Sequence, residues 1–176
     1  MAYRTPSEIA ATSVNAGVAK SRAGTVTLIV LGFLAGSFIA MAAVASHTVS
    51  YALGAWAGPS AAKLISGLVF SVGIVMVIIG GGELFTGNSL MVMALLDRRI
   101  RVGALIRNWV IVYFSNMAGA VFVAWLYHET GLWQTADGAS AQALIMTAMR
   151  KSSLEFWPAF FRGVLCNWLV CMGVWM

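Results

Sequence analysis

Residues 80–88 read Gly80-Gly81-Gly82-Glu83-Leu84-Phe85-Thr86-Gly87-Asn88 and close an apolar run that begins at Leu64. Three successive glycines end a helix, because glycine carries the largest conformational-entropy cost and tolerates a left-handed backbone. A second, short apolar run starts at once, from Ser89 to Leu96, and stops at Asp97-Arg98-Arg99. Non-helical backbone inside a bilayer leaves N–H and C=O groups unpaired, so it survives only buried in protein or lining an aqueous cavity. Thr86 or Asn88 is placed to N-cap the second half-helix, whose first amides would turn partial positive charge into the membrane. A glycine-rich kink packed against neighbouring helices explains the same residues, and the pattern leaves both readings open. Glu83 at such depth costs ~3 kcal/mol or more unless it is employed. Its favoured role is to accept hydrogen bonds from the loop's own amides.

Composition makes the bilayer the expected solvent. The chain has 176 residues, 60% of them apolar and 10% charged, against roughly 25% charged in soluble domains. The formal charge of +5 does not point to nucleic acid, because the basic residues flank hydrophobic segments instead of forming one face. Cys166 and Cys171 stand about 140° apart on a helix and read as buried small apolar residues, with no disulfide or shared metal between them. No metal-ligand cluster, paired carboxylate or nucleophile beside a base is present, so no enzyme and no cofactor are expected. The polar start, residues 1–10, gives no cleavable signal peptide.

The chain reads as a single all-α transmembrane domain over residues 1–176. Thr5-Pro6-Ser7-Glu8 is a capping box that opens an amphipathic helix over about 5–21. Spans follow over about 25–46, 64–82 with the half-helix at about 88–97, 103–127 and 158–176. The first contains Gly32 and Gly36, a GxxxG pair that admits a close neighbour. Residues 47–63 read as a connection, and His128 to Glu155 as a polar loop. Arg4, Lys20, Arg22, Arg98, Arg99, Arg101 and Arg107 fall on one side, and Lys63, Arg150, Lys151 and Arg162 on the other. Seven against four predicts a multi-pass protein of the cytoplasmic (inner) membrane with its N-terminus in the cytoplasm.

Two stretches resemble the signatures of the formate/nitrite transporter family: residues 82–88, Gly-Glu-Leu-Phe-Thr-Gly-Asn, and residues 166–176, Cys-Asn-Trp-Leu-Val-Cys-Met-Gly-Val-Trp-Met. The family comprises pentameric channels for small anions, so the resemblance implies an aquaporin-like helical bundle with a broken second transmembrane helix. It implies that Leu84, Phe85 and Thr86 lie at the first break, that Phe70 and Ile74 form apolar constrictions, and that Lys151 and Asn167 tie the loop and raise the positive potential. Gly80, Gly81, Gly82, Glu83 and Asn88 then shape the loop. Without the resemblance, Phe70 and Ile74 read as core packing and Lys151 as a surface residue. Family members continue into a second broken helix that carries a His, and His47 and His128 match no such position. The chain is therefore expected to hold the first four of about six spans.

The implied function is passage of small monovalent anions, formate first and nitrite or hydrosulfide as alternatives, with or without a coupled proton. The implied partners are these anions, the lipid bilayer and four further copies in a homopentamer. The rival readings are a pore for a neutral small solute and a non-conducting membrane fragment.

Overall fold

The computed structural model describes residues 4–176; Met1, Ala2 and Tyr3 of the polar start lie outside the described residues. Helix α1 spans Pro6–Arg22 behind a complete capping box. The Thr5 hydroxyl accepts from the Glu8 amide, and the Thr5 amide donates to Glu8 Oε2 at 2.6 Å. These two bonds satisfy donors that the first helical turn leaves orphaned.

Helix α2 runs over Thr25–Ile79 and folds back on itself at Gly58, whose φ of 83° lies outside the helical range. Residues 47–63, expected as a connection, are instead helical almost throughout. The alanine-rich sequence sustains the helix, and one residue makes the turn. Glycine supplies the left-handed backbone, and Pro59 restarts the helix with φ already set. The two arms, Thr25–Gly54 and Trp56–Ile79, are stitched by Ser46, whose hydroxyl lies 3.0 Å from the Ser66 carbonyl. Gly73 lets them touch: a Cβ there would stand 2.8 Å from Ala42 Cβ.

After the second arm the chain breaks, makes a short 3-10 turn over Gly87–Leu90, and continues as α3, Met91–Leu96. Helix α1 does not lie free on a surface but packs against α3, where Gly17 approaches Ala94. Helix α4, Val102–Glu129, crosses the first arm of α2 at van der Waals distance. A Cβ on Gly36 would collide with Asn116 O, and one on Gly119 with Phe33 O. The GxxxG pair thus serves the close approach predicted for it.

The supposed loop from His128 to Glu155 contains a helix, α5 (Ala139–Ser152), entered through left-handed glycines at 131 and 138. The polar composition hid it, because α5 exposes most of its surface and needs only one contact face. His47 Nε2 lies 3.2 Å from Ser140 Oγ and joins α5 to α2. Helix α6, Phe156–Trp175, closes the described chain.

Among the described residues, four segments are long and apolar enough to cross a membrane: Thr25–Gly54, Trp56–Ile79, Val102–Glu129 and Phe156–Trp175. Arg107 of α4 donates to Ala23 O and Thr25 Oγ1, so the starts of the first and third spans share one end of the bundle.

Candidate functional site

The break forms because the second arm of α2 ends in a Schellman motif. Gly80 caps the helix, Gly81 adopts φ 66°, and the amides of Gly82 and Gly81 return to Val77 O and Ile78 O. Gly81 needs the absence of a Cβ for its left-handed backbone. Gly82 needs it for space, since a Cβ would stand 3.0 Å from Ala35 Cβ.

Beyond Gly82 the backbone takes its partners from other helices. The Glu83 amide donates to Leu31 O at 3.1 Å. Asn116 of α4 supplies the rest: its Nδ2 donates to Glu83 O at 2.8 Å and Gly32 O at 2.7 Å, and its Oδ1 accepts the Phe85 amide at 2.9 Å. Among the described residues, the amides of Leu84, Thr86 and Gly87 have no hydrogen-bond partner. Such backbone is tolerated at membrane depth only where it is buried in protein or lines an aqueous cavity.

Glu83 does not accept from the loop's own amides, as was expected of it. Its Oε2 accepts Lys20 Nζ at 2.9 Å and Asn88 Nδ2 at 2.7 Å. Asn88 also receives Lys20 Nζ on Oδ1, donates to Asn108 Oδ1 at 2.8 Å, and offers its carbonyl to the Trp109 indole. Neither Thr86 nor Asn88 caps the half-helix through its side chain: Thr86 has helical backbone angles, and the Asn88 carboxamide is wholly taken by Glu83, Lys20 and Asn108. A charged donor, the Lys20 ammonium, outcompetes the helix's own amides for the Asn88 oxygen. Asn88 and Asn108 are 1% and 0% exposed, so this polar cluster is internal and fully paired.

A half-open cavity of about 360 Å³ lies against the break. Ile74, Leu84, Gly81 and Gly87 line it, together with Lys20 of α1 and Val174 of α6. Of the residues singled out from the sequence, Ile74 and Leu84 thus share one space with the glycines, Glu83 and Asn88. Phe85 turns toward α4, with its ring centroid 5.4 Å from that of Tyr113 and 6.1 Å from that of Trp109, both edge-on. Phe70 lies one turn from Ile74 and is partly exposed. Thr86 is half-buried, and its carbonyl accepts the Cys171 thiol at 3.6 Å. Asn167 Nδ2 donates to Ser89 Oγ at 3.1 Å, which brings α6 onto the half-helix. Lys151 stands exposed at the end of α5 with no hydrogen bond or ion pair among the described residues.

The residues that hold the break in place, Lys20, Asn108, Trp109 and Asn116, escaped the sequence reading. Asn108 and Asn116 carried a usable signal, since an amide side chain in an apolar span is costly unless it bonds a neighbouring helix. Lys20 carried none, because a basic residue ending an amphipathic helix is ordinary.

The sequence pattern of the formate/nitrite transporter family matches residues 7–176. The chain belongs to that family. It is 40% identical over 178 residues to the uncharacterized transporter YrhG of Bacillus subtilis, covering 100% of this chain and 66% of YrhG. It is 39% identical over 145 residues to the formate channel FocA of Haemophilus influenzae, covering 82% of this chain and 51% of FocA. Among solved structures, an FNT family ion channel superposes with a TM-score of 0.87 at 26% identity, over 97% of this chain and 68% of that one. A pentameric formate channel with formate bound gives 0.76 at 32% identity, over 86% and 59%. The chain spans between about half and two thirds of the length of these curated relatives. As a family member it is a multi-pass, all-helical membrane protein of a transporter and channel family, not an enzyme.

Proposed function

We propose that this chain builds the broken-helix side of a pore for small monovalent anions, with formate ahead of nitrite and hydrosulfide, in a homopentamer of the cytoplasmic membrane. The observation that carries the reading is the set of unpartnered amides at Leu84, Thr86 and Gly87 beside a cavity at the break. Backbone N–H groups replace water around an anion without bringing a full counter-charge that would trap it. The Thr86 hydroxyl adds a donor, Leu84, Phe70 and Ile74 supply apolar constrictions that exclude larger, strongly hydrated ions, and Phe85 anchors the break against α4. Crossing as the protonated, neutral acid lowers the desolvation cost, which favours a coupled proton. Lys151 contributes positive potential from the end of α5, and Asn167 holds the half-helix from α6 through Ser89. Seven basic residues at the end that includes α1 support a cytoplasmic N-terminus. That FocA is a formate channel and that a similar solved channel is pentameric with formate bound support the permeant and the assembly.

Liposomes loaded with the intact protein test this. Formate flux is expected, reduced at least about tenfold by Thr86→Val and Phe85→Ala together, the scale on which one hydrogen bond and one packed ring act. Absent flux in the unaltered protein, or flux indifferent to both substitutions, would refute the reading.

A further inference from the structure

Asn116 lies near the middle of α4, fourteen residues past Val102, and its carboxamide uses both donors and its acceptor on backbone alone. The two N–H groups go to Gly32 O and Glu83 O, and the oxygen takes the Phe85 amide. A primary amide is the neutral side chain with two donors and an acceptor in one plane. It therefore does for residues 83–85 what a neighbouring peptide would do in regular secondary structure. Leu84 lies between the two held residues and lines the cavity. A second, independent feature keeps the amide at that spot. Gly32 and Gly36 draw α4 so close that a Cβ on the first would stand 2.7 Å from Ser115 Cβ, and one on the second would collide with Asn116 O.

We infer that Asn116 is the positioning residue of the break: it fixes the peptide groups on either side of Leu84, and so sets the conformation in which the protein passes its anion. Asn116 itself does not touch the permeant. The inference rests on the pore reading above.

Aspartate at this position separates positioning from plain folding. As a carboxylate it accepts only, so it keeps the Phe85 amide but faces Gly32 O and Glu83 O with no proton to give. As the neutral acid it restores one of those two bonds. The other titratable groups around it are Glu83 on the break, paired with Lys20 of α1, Tyr113 on α4 and Cys171 of α6, whereas α2 has none from Thr25 to Ser46. These are common to both proteins, so their titration cancels in a ratio.

The experiment measures formate flux per folded protein in liposomes between pH 5 and pH 8, for the intact protein and for Asn116→Asp. The expected ratio of variant to unaltered protein is about one tenth at pH 8, rising toward unity at pH 5, as one charge-sensitive hydrogen-bond set is broken and restored. A ratio that stays flat with pH, whether at unity or below it, overturns the inference. If the aspartate variant does not fold, Asn116→Gln decides: its amide, displaced by one methylene, must lower flux per folded protein, and equality with the unaltered protein overturns the proposal. An unaltered protein without flux refutes the pore reading instead.

Discussion

Lys20 Nζ lies 2.9 Å from Glu83 Oε2 and so joins the helix ahead of the first span to the break that follows the second. The side chains are 30% and 11% exposed, so the carboxylate is the more deeply buried partner. Removing one member of such a pair strands the other, and the stranded charge sets the cost. Lys20→Met leaves Glu83 with only Asn88 and is expected to destabilise by about 2–4 kcal/mol. Glu83→Gln costs less, because Lys20 can swing toward water. Thermal unfolding in detergent should rank Lys20→Met below Glu83→Gln, with the double variant above Lys20→Met alone. The reverse order would mean that the pair is only a surface contact.

Gly119→Ala tests the α2–α4 contact. The added methyl would collide with Phe33 O, and that atom is backbone, so a whole helix must move. Overpacking of this kind costs about 1–3 kcal/mol. Gly67→Ala in the same bundle has nothing within 4 Å of the new methyl, and relief of glycine's poor helix propensity should make it neutral or stabilising by up to about 1 kcal/mol. Melting temperatures that do not separate the two variants would contradict the close approach.

Gly81 isolates backbone strain from packing. No atom lies within 4 Å of a Cβ there, but φ is 66°. Gly81→Ala should therefore cost about 1–2 kcal/mol from the left-handed backbone alone. Gly81→Asn should cost visibly less, since asparagine tolerates that region. Equal melting temperatures for alanine and asparagine would show that strain is not the cause.

Glu8, outside the spans, supplies a pH dependence. Its carboxyl is held below the ordinary 4.5, chiefly by the Thr5 backbone N–H and next by the Thr5 hydroxyl, with burial opposing and Arg4 assisting. A carboxyl whose folded pKa is depressed adds stability that is fully present above its unfolded pKa and vanishes as pH falls through the folded one. The first turn of α1 should therefore fray as the solution is acidified below 4.5. Amide exchange at the start of α1 should rise there relative to Glu8→Gln, in which the carboxyl cannot titrate. Identical acid profiles for the two proteins would count against it.

Local signals made much of the fold readable. Thr5 and Glu8 announce the start of α1, the glycine triplet the end of α2, and Gly32 with Gly36 a close neighbour. Each works through the residue's own backbone preferences or size, which need no knowledge of the partner. The reversal between the first two spans was legible within residues 47–63, but its confinement to Gly58 was not, because a turn of one non-helical residue leaves little compositional trace in an alanine-rich stretch. Helix α5 was missed because its polar surface resembles that of a loop. At the break, the interruption was legible but its supports were not. Lys20 and Glu83 are 63 positions apart, and Asn116 lies 31 beyond Phe85; such pairings depend on tertiary placement that no local pattern encodes. Thr86 and Asn88 illustrate the converse, as good capping residues by type whose side chains do no capping in the folded chain.

The reliance of the break on Asn116 also bears on how the protein is made. Synthesis runs from the N-terminus, so the glycine turn emerges from the ribosome before the α4 amide that will satisfy Glu83 O and Phe85 N–H exists. A nascent chain ending short of α4 holds two polar groups that acyl chains cannot solvate. Until the third span is delivered, water or a membrane-insertion partner has to shelter that turn, and bilayer entry of the second and third spans becomes a coupled event.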